Sequence, residues 1–315
     1  MFNYDKRDVV SIAKSNDFIV NNTEKVLRLS KVLSFINKTK YGDYLCLKGG
    51  TAINLFLLNL SRLSVDIDYD FSLDCSKEEM VQIREKIKNE ITNYMSVEGY
   101  SLSNNSKFTH TLDSFVFSYS TVSGSRDNLK VEINYSNRVH VLNTIFQTRD
   151  IPLGESVSTK MLSINELVGS KINALIVRTT PRDVYDSYNL LKEKTYDYNL
   201  IKKVAVFYVM LGSDIPVDFK EKFETCIKRI EDITYNKLRD NLIPLLHRSE
   251  KLDIENMKEY VIDRLKEIFS LNEGEKEFIN DFNLGVFNQK ALFENLDIND
   301  LSKHPMVIWK MNNIK

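Results

Sequence analysis

The run Lys48-Gly49-Gly50-Thr51-Ala52-Ile53-Asn54-Leu55, with fourteen residues intervening between Thr51 and Asp66-Ile67-Asp68-Tyr69-Asp70, decides how the chain folds. Leu45, Cys46 and Leu47 form a short apolar run that stops at the glycine pair, and from Ala52 to Leu60 the pattern suits a helix, so residues 45–60 read as strand, turn, helix. Val65, Ile67, Tyr69 and Phe71 then alternate with Asp66, Asp68 and Asp70. A period of two marks a strand with one buried face, and it gathers the three carboxylates on the other. Glycines at a strand-to-helix turn let backbone amides approach a phosphate, and the following helix N-terminus adds its positive end. Aspartates at i and i+2 on one strand face stand about 7 Å apart at Cα and can converge on a hard cation such as Mg²⁺.

Working outward, the apolar residues between Asp5 and Ile36 recur at helical spacing, with Asp17 and Thr23 as cap candidates. Ser76 and Glu79 open a clear amphipathic helix. Phe115, Phe117 and Tyr119, then Val131, Ile133 and Tyr135, predict a hairpin with Lys130, Glu132 and Asn134 facing outward. Glu132 is thereby a candidate third carboxylate. Ser163 and Glu166 read as a second capping box, opening a helix that carries Lys171 and is interrupted at Thr179-Thr180-Pro181, where a new helix starts. Beyond the polar stretch 192–199 the pattern is helical to the end, so the expected division is 1–197 and 198–315.

Composition sets wide limits. Ten glycines and five prolines make about 5% of the 315 residues, against roughly 12% in average usage, which opposes linker-rich and turn-dense all-β chains. The net charge of −1 excludes a polybasic arm, although residues 253–300 carry twelve acidic and five basic side chains and leave the rest about +6. Three scattered cysteines give neither a disulfide framework nor zinc-ligand spacing and read as reduced thiols. Charges fill the N-terminus where a signal peptide is apolar, and no run of about 18 apolar residues occurs, so a cytoplasmic protein without membrane contact is expected. The loops and motifs of P-loop, Rossmann, zincin and α/β-hydrolase enzymes are missing. The four histidines have no ligand spacing and read as local structural groups.

A glycine turn, an Asp-x-Asp strand and an outward carboxylate on a later strand, in that order, predict an α+β fold. Its core is a small mixed sheet flanked by helices, polymerase-β-like and of the nucleotidyltransferase type, with a C-terminal helical bundle. The same residues carry a family resemblance: Lys48 to Leu55 with Arg62, Ser64, Asp66 and Asp68, then Val131-Glu132-Ile133-Asn134, then Glu166, Lys171, Ala174 and Leu175, then Arg182-Asp183-Val184-Tyr185-Asp186, and Glu275, Glu277, Phe278, His304-Pro305 and Trp309-Lys310 near the end. In this order they resemble the AbiEii/AbiGii toxins, nucleotidyltransferases of bacterial abortive-infection and toxin–antitoxin systems.

The resemblance implies that Asp66 and Asp68 hold Mg²⁺ (or Mn²⁺), with Glu132, Asp70 or water as the third ligand. It implies that Lys48, Gly49, Gly50, Thr51, Arg62, Ser64 and Arg182 line the nucleotide. Arg62 could equally pair with Asp66. Lys171 is implied to neutralise charge on the triphosphate, its alternative being a solvated lysine. Asp183, or failing it Asp186, is implied as a further catalytic carboxylate, its alternative being an acid that complements a helix dipole. The implied activity is transfer of a nucleoside monophosphate from an NTP to an acceptor hydroxyl, the tRNA 3′ end before a protein or small molecule, under control of an antitoxin encoded nearby. A catalytically silent nucleotide-binding module is the remaining alternative.

Overall fold

The computed structural model of the chain describes residues 4–151 and 156–314. It separates into two compact units, Met1–Arg138 with Thr144–Met161 and Leu245–Glu250, and Val139–Asn143 with Leu162–Pro244 and Lys251–Lys315.

The first unit contains α1 (Lys6–Ser15), α2 (Val20–Lys38), β1 (Leu45–Lys48), α3 (Gly49–Ala52), β2 (Asp66–Phe71), α4 (Lys77–Val97), β3 (Ser101–Leu102), β4 (Lys107–Phe108), β5 (Leu112–Ser120), β6 (Arg126–Asn134), β7 (Ile145–Arg149) and β8 (Val157–Met161). The strands form one mixed sheet in the order β3-β5-β6-β2-β1-β8-β7, with β4 on β5. β2 lies at its centre, antiparallel to β1 and parallel to β6, and β5 and β6 form the expected hairpin. The alternation read from the sequence is realised: Ile67, Tyr69, Phe71, Val131 and Ile133 are fully buried. The Tyr69 hydroxyl reaches Asn37 of α2, and Phe35 of α2 stacks on Tyr94 of α4.

Local details differ from expectation at the helix starts. The cap position of α2 is Ile19, which offers no side-chain acceptor. Thr23 instead bonds back to the Ile19 carbonyl, and Asp17, at φ 59°, accepts from the Ser249 backbone. The helix that begins at the glycine pair is only four residues long and widens into a π-type turn at Ile53–Leu57. A turn that short contributes oriented amides rather than a full macrodipole. His247 is a local structural group, as read, stacked on Phe18 with its ring nitrogens at 3.1 Å from the Asn16 and Leu60 carbonyls.

The second unit contains α5 (Ile164–Arg178), α6 (Pro181–Leu190), α7 (Tyr198–Gly212), α8 (Phe219–Glu231), α9 (Tyr235–Asn241), α10 (Ile254–Ile268), α11 (Glu273–Asn283), α12 (Gln289–Phe293) and α13 (Pro305–Asn313). α7 is its axis: Ile201, Val204, Ala205, Val206, Phe207, Val209 and Met210 are all fully buried, and its two lysines, Lys202 and Lys203, are buried with them and paired to Glu275. Whereas the sequence division falls at 197/198, the contact units place α5 and α6 with the later helices.

Glu166 explains part of that packing and corrects the capping-box reading. Ser163 makes no side-chain cap bond, and the Glu166 carboxylate is fully buried. It accepts the Val141 and Leu142 amides at 2.8 and 2.9 Å and the Tyr208 hydroxyl at 2.5 Å. Buried amides without a partner cost more than an exposed cap gains, so the carboxylate goes to them. The box forms one helix later, where Thr180 and Asp183 satisfy each other's amides at the start of α6. His304 caps α13 in a structural role, its Nδ1 accepting from Met306.

Candidate active site

Strand pairing builds the first part of the site. Lys48 on β1 is the register partner of Asp68 on β2, and Asp68 is the partner of Glu132 on β6. These three side chains form one row across the sheet, with Asp66 two residues along β2 opposite Lys130. Lys48 Nζ sits 2.5 Å from Asp70 Oδ1, and Lys130 Nζ sits 2.9 Å from Glu132 Oε1. Asp70 is 2% exposed and committed to Lys48, so of the two candidate third carboxylates Glu132 is the more accessible.

Asp68 is electrostatically loaded. Burial, opposed by Lys48 and reinforced by the charges of Asp66 and Glu132, pushes its carboxyl up to about 6 from the usual 3.8. Carboxylates that repel one another in this way form a hard-oxygen donor set suited to a divalent cation. Among the described residues no three acidic, histidine or cysteine side chains already converge on one point, and Glu132 is engaged through Oε1 by Lys130.

The glycine turn shapes the space beside this row. Gly49 has φ +70°, and a Cβ there would lie 2.6 Å from Asp68 Oδ2. A Cβ on Gly50 would lie 3.0 Å from both Arg62 Nη2 and Ser64 Oγ, so the guanidinium and the hydroxyl border the gap over that glycine. Arg62 is almost wholly buried and is held by donating to the Leu63 carbonyl at 2.8 Å. Asn54, fully buried, ties the turn to that segment, donating to the Gly50 carbonyl and accepting from the Arg62 amide. Thr51 is buried and donates its hydroxyl to the Asp66 carbonyl, fastening the turn to β2.

The other predicted residues lie in the second unit. Lys171 is 6% exposed, against the solvated alternative, with Nζ at 2.9 Å from Asp183 Oδ1 and 2.6 Å from Asp186 Oδ2. Both carboxylates are fully buried. Asp183 also receives Arg178 through Nε at 2.8 Å and Nη2 at 2.9 Å, and the Thr180 hydroxyl at 2.6 Å. Burial works against its charge, but Lys171, Arg178 and Thr180 outweigh it and hold the carboxyl well below the usual range. Arg182 follows Pro181 in the first turn of α6. Arg178 reads in the sequence only as a helix position, because its partner Asp183 lies beyond the helix break and no periodicity connects them.

Residues 32–267 match the family described as nucleotidyl transferase AbiEii toxin, type IV TA system. The chain belongs to the AbiEii family. It is thus a nucleotidyltransferase toxin of a type IV toxin–antitoxin system, as the motif order implied. Among solved structures, the nucleotidyltransferase toxin MenT4 of Mycobacterium tuberculosis H37Rv is 14% identical, covers 91% of this chain and 100% of its own, and has a TM-score of 0.62, which shows a shared fold. A solved H. pylori chain assigned as a nucleotidyltransferase is 18% identical over 79% of this chain and 93% of that one, at a TM-score of 0.44. No curated protein shows a significant match. For this AbiEii chain no helix among the described residues is long and apolar enough to cross a membrane.

Proposed function

We propose that this AbiEii protein transfers a nucleoside monophosphate from an NTP to the 3′-terminal hydroxyl of tRNA, releasing pyrophosphate and arresting growth in the cytoplasm of its host. The observation that carries the reading is the row of Lys48, Asp68 and Glu132 beside Asp66 and the open backbone at Gly49 and Gly50. Asp66 and Asp68, joined by Glu132, would hold a divalent cation, Mg²⁺ or Mn²⁺, which when bound supplies charge neutralisation for the oxygens of a phosphoryl displacement.

The chain's own groups do the rest. Gly49 and Gly50 leave the approach to Asp68 unobstructed, and Arg62 and Ser64 at the edge of that gap bind triphosphate oxygens. Lys48 neutralises Asp70 and keeps a positive charge beside Asp68, which limits repulsion within the carboxylate row. In the second unit Asp183 and Asp186 hold the ammonium of Lys171, the lysine that the family resemblance implies as the charge-neutralising group. Such catalysis works through positioning and electrostatics, since phosphoryl transfer asks for little covalent chemistry from the protein. The antitoxin is the product of a neighbouring gene, and control by repression requires no direct contact.

The test is incubation of the purified protein with bulk tRNA, Mg²⁺ and each α-phosphate-labelled NTP in turn, beside Asp66→Ala. Label in tRNA that disappears in the variant is expected. Label in protein or a small molecule instead would keep the reaction and replace the acceptor, and binding of NTP without label anywhere would replace the reading with a binding module.

A further inference from the structure

Lys48 stands directly across the β1–β2 pairing from Asp68, yet its ammonium goes to Asp70, two residues farther along the same face of β2. Residues directly opposite on antiparallel strands bring their Cβ atoms within about 5.5 Å, whereas diagonal neighbours stand farther apart. By position alone, the acid within easiest reach of Lys48 is Asp68. What draws the ammonium past it is burial. Asp70 is 2% exposed and lies 2.5 Å from Lys48 Nζ, and its own register partner is Cys46, a buried thiol that carries no positive charge. A carboxylate withdrawn from water is costly to leave unpaired, so it competes for the cation more strongly than a better solvated one. Burial also works against the Lys48 ammonium, but Asp70 and Asp68 outweigh it and raise its pKa above the usual value. A lysine bonded to Asp68 would take the oxygens that a divalent cation needs.

We infer that Asp70 is a positioning residue of the metal site: it holds the Lys48 ammonium off Asp68 and so leaves the Asp68 oxygens to a divalent cation. The inference rests on the reading of Asp66 and Asp68 as metal ligands, and it makes Asp70 the holder of Lys48 rather than a ligand itself. Its test is binding of Mn²⁺ alone, titrated by calorimetry into the full chain without nucleotide, at a temperature where each protein is folded by its melting curve. The parent binds Mn²⁺ and Asp66→Ala does not. Asp70→Asn keeps the shape of the side chain but releases Lys48 onto Asp68, and its Mn²⁺ affinity falls about ten- to a hundredfold. The double variant Lys48→Met with Asp70→Asn lacks the competing ammonium and regains the parental affinity or exceeds it.

That recovery separates a holder from a ligand, because an acid that coordinates the metal is missing from the double variant as well. The double variant also leaves no buried charge unpaired, so it decides the question even where Asp70→Asn folds poorly. Undiminished Mn²⁺ affinity in folded Asp70→Asn overturns the inference, and so does a double variant that binds Mn²⁺ weakly. A parent that binds Mn²⁺ no better than Asp66→Ala overturns the metal reading itself, and the inference with it.

Discussion

Replacing Asp68 with asparagine is expected to abolish nucleotidyl transfer and, at the same time, to stabilise the protein. The carboxyl is raised to about 6 from 3.8 by burial beside Asp66 and Glu132. The folded state thus holds a proton that the unfolded chain releases, and the sign follows. Below pH 3.8 the group is protonated in both states and contributes nothing. Between 3.8 and 6 the cost of folding an ionised Asp68 builds up, and above 6 it is fully present. A gap of about two pH units, at about 1.4 kcal/mol for each, makes that cost about 3 kcal/mol. Asparagine keeps the shape and carries no charge, so at pH 8 in EDTA the variant should be more stable by about that amount, seen as a melting temperature higher by about 5 °C or more. The advantage should shrink towards zero near pH 4. Added Mg²⁺ should narrow it at pH 8 by stabilising only the parent, because a ligand of the folded state raises its stability by mass action. Urea unfolding of both proteins at pH 4, 6 and 8 is the assay. An asparagine variant no more stable than the parent at pH 8, or an advantage that does not vary with pH, would refute the electrostatic reading of the row.

Two further outcomes follow from the same geometry. Gly49→Ala places a Cβ at φ +70° and 2.6 Å from Asp68 Oδ2, so about 1–2 kcal/mol of stability and more than about nine-tenths of the activity should be lost; parental activity in a transfer assay would show that the close approach is unimportant. Asp183→Asn leaves Lys171 with half its partners in a buried site and should cost about 3–5 kcal/mol at pH 7. Because the Asp183 carboxyl is held below its ordinary value, its contribution is complete above about pH 3.8 and is lost as the pH falls beneath that, so denaturation curves of parent and variant should converge in acid.

Much of the first unit was legible because strand periodicity is a local property. Ile67, Tyr69, Phe71, Val131 and Ile133 are hydrophobic on alternate positions, so the sequence alone assigns them to one face and Asp66, Asp68 and Glu132 to the other. The glycine turn was legible as well, because a glycine pair between an apolar run and a helical pattern marks a turn, and Gly49 takes φ +70° there. The family, too, was readable from the order of short motifs along the chain.

What the tertiary structure alone decided is which charges meet. Nothing in the spacing of Lys48 and Asp70, or of Lys130 and Glu132, distinguishes the buried pair from the accessible one; the register of β1 on β2 and the depth of each strand do that. Glu166 has the sequence signature of a cap, yet it serves amides twenty-four and twenty-five residues upstream because burial makes those amides more costly to leave unpaired. Arg178 acquires meaning only when the break at Thr179 and Thr180 folds Asp183 back onto it, and Lys171 becomes a buried cation only because two acids from the next helix surround it. Periodicity fixes which way a side chain faces within its own element. The partner of a buried charge is fixed by elements packed around it from elsewhere in the chain, where desolvation raises the cost of every unmatched group.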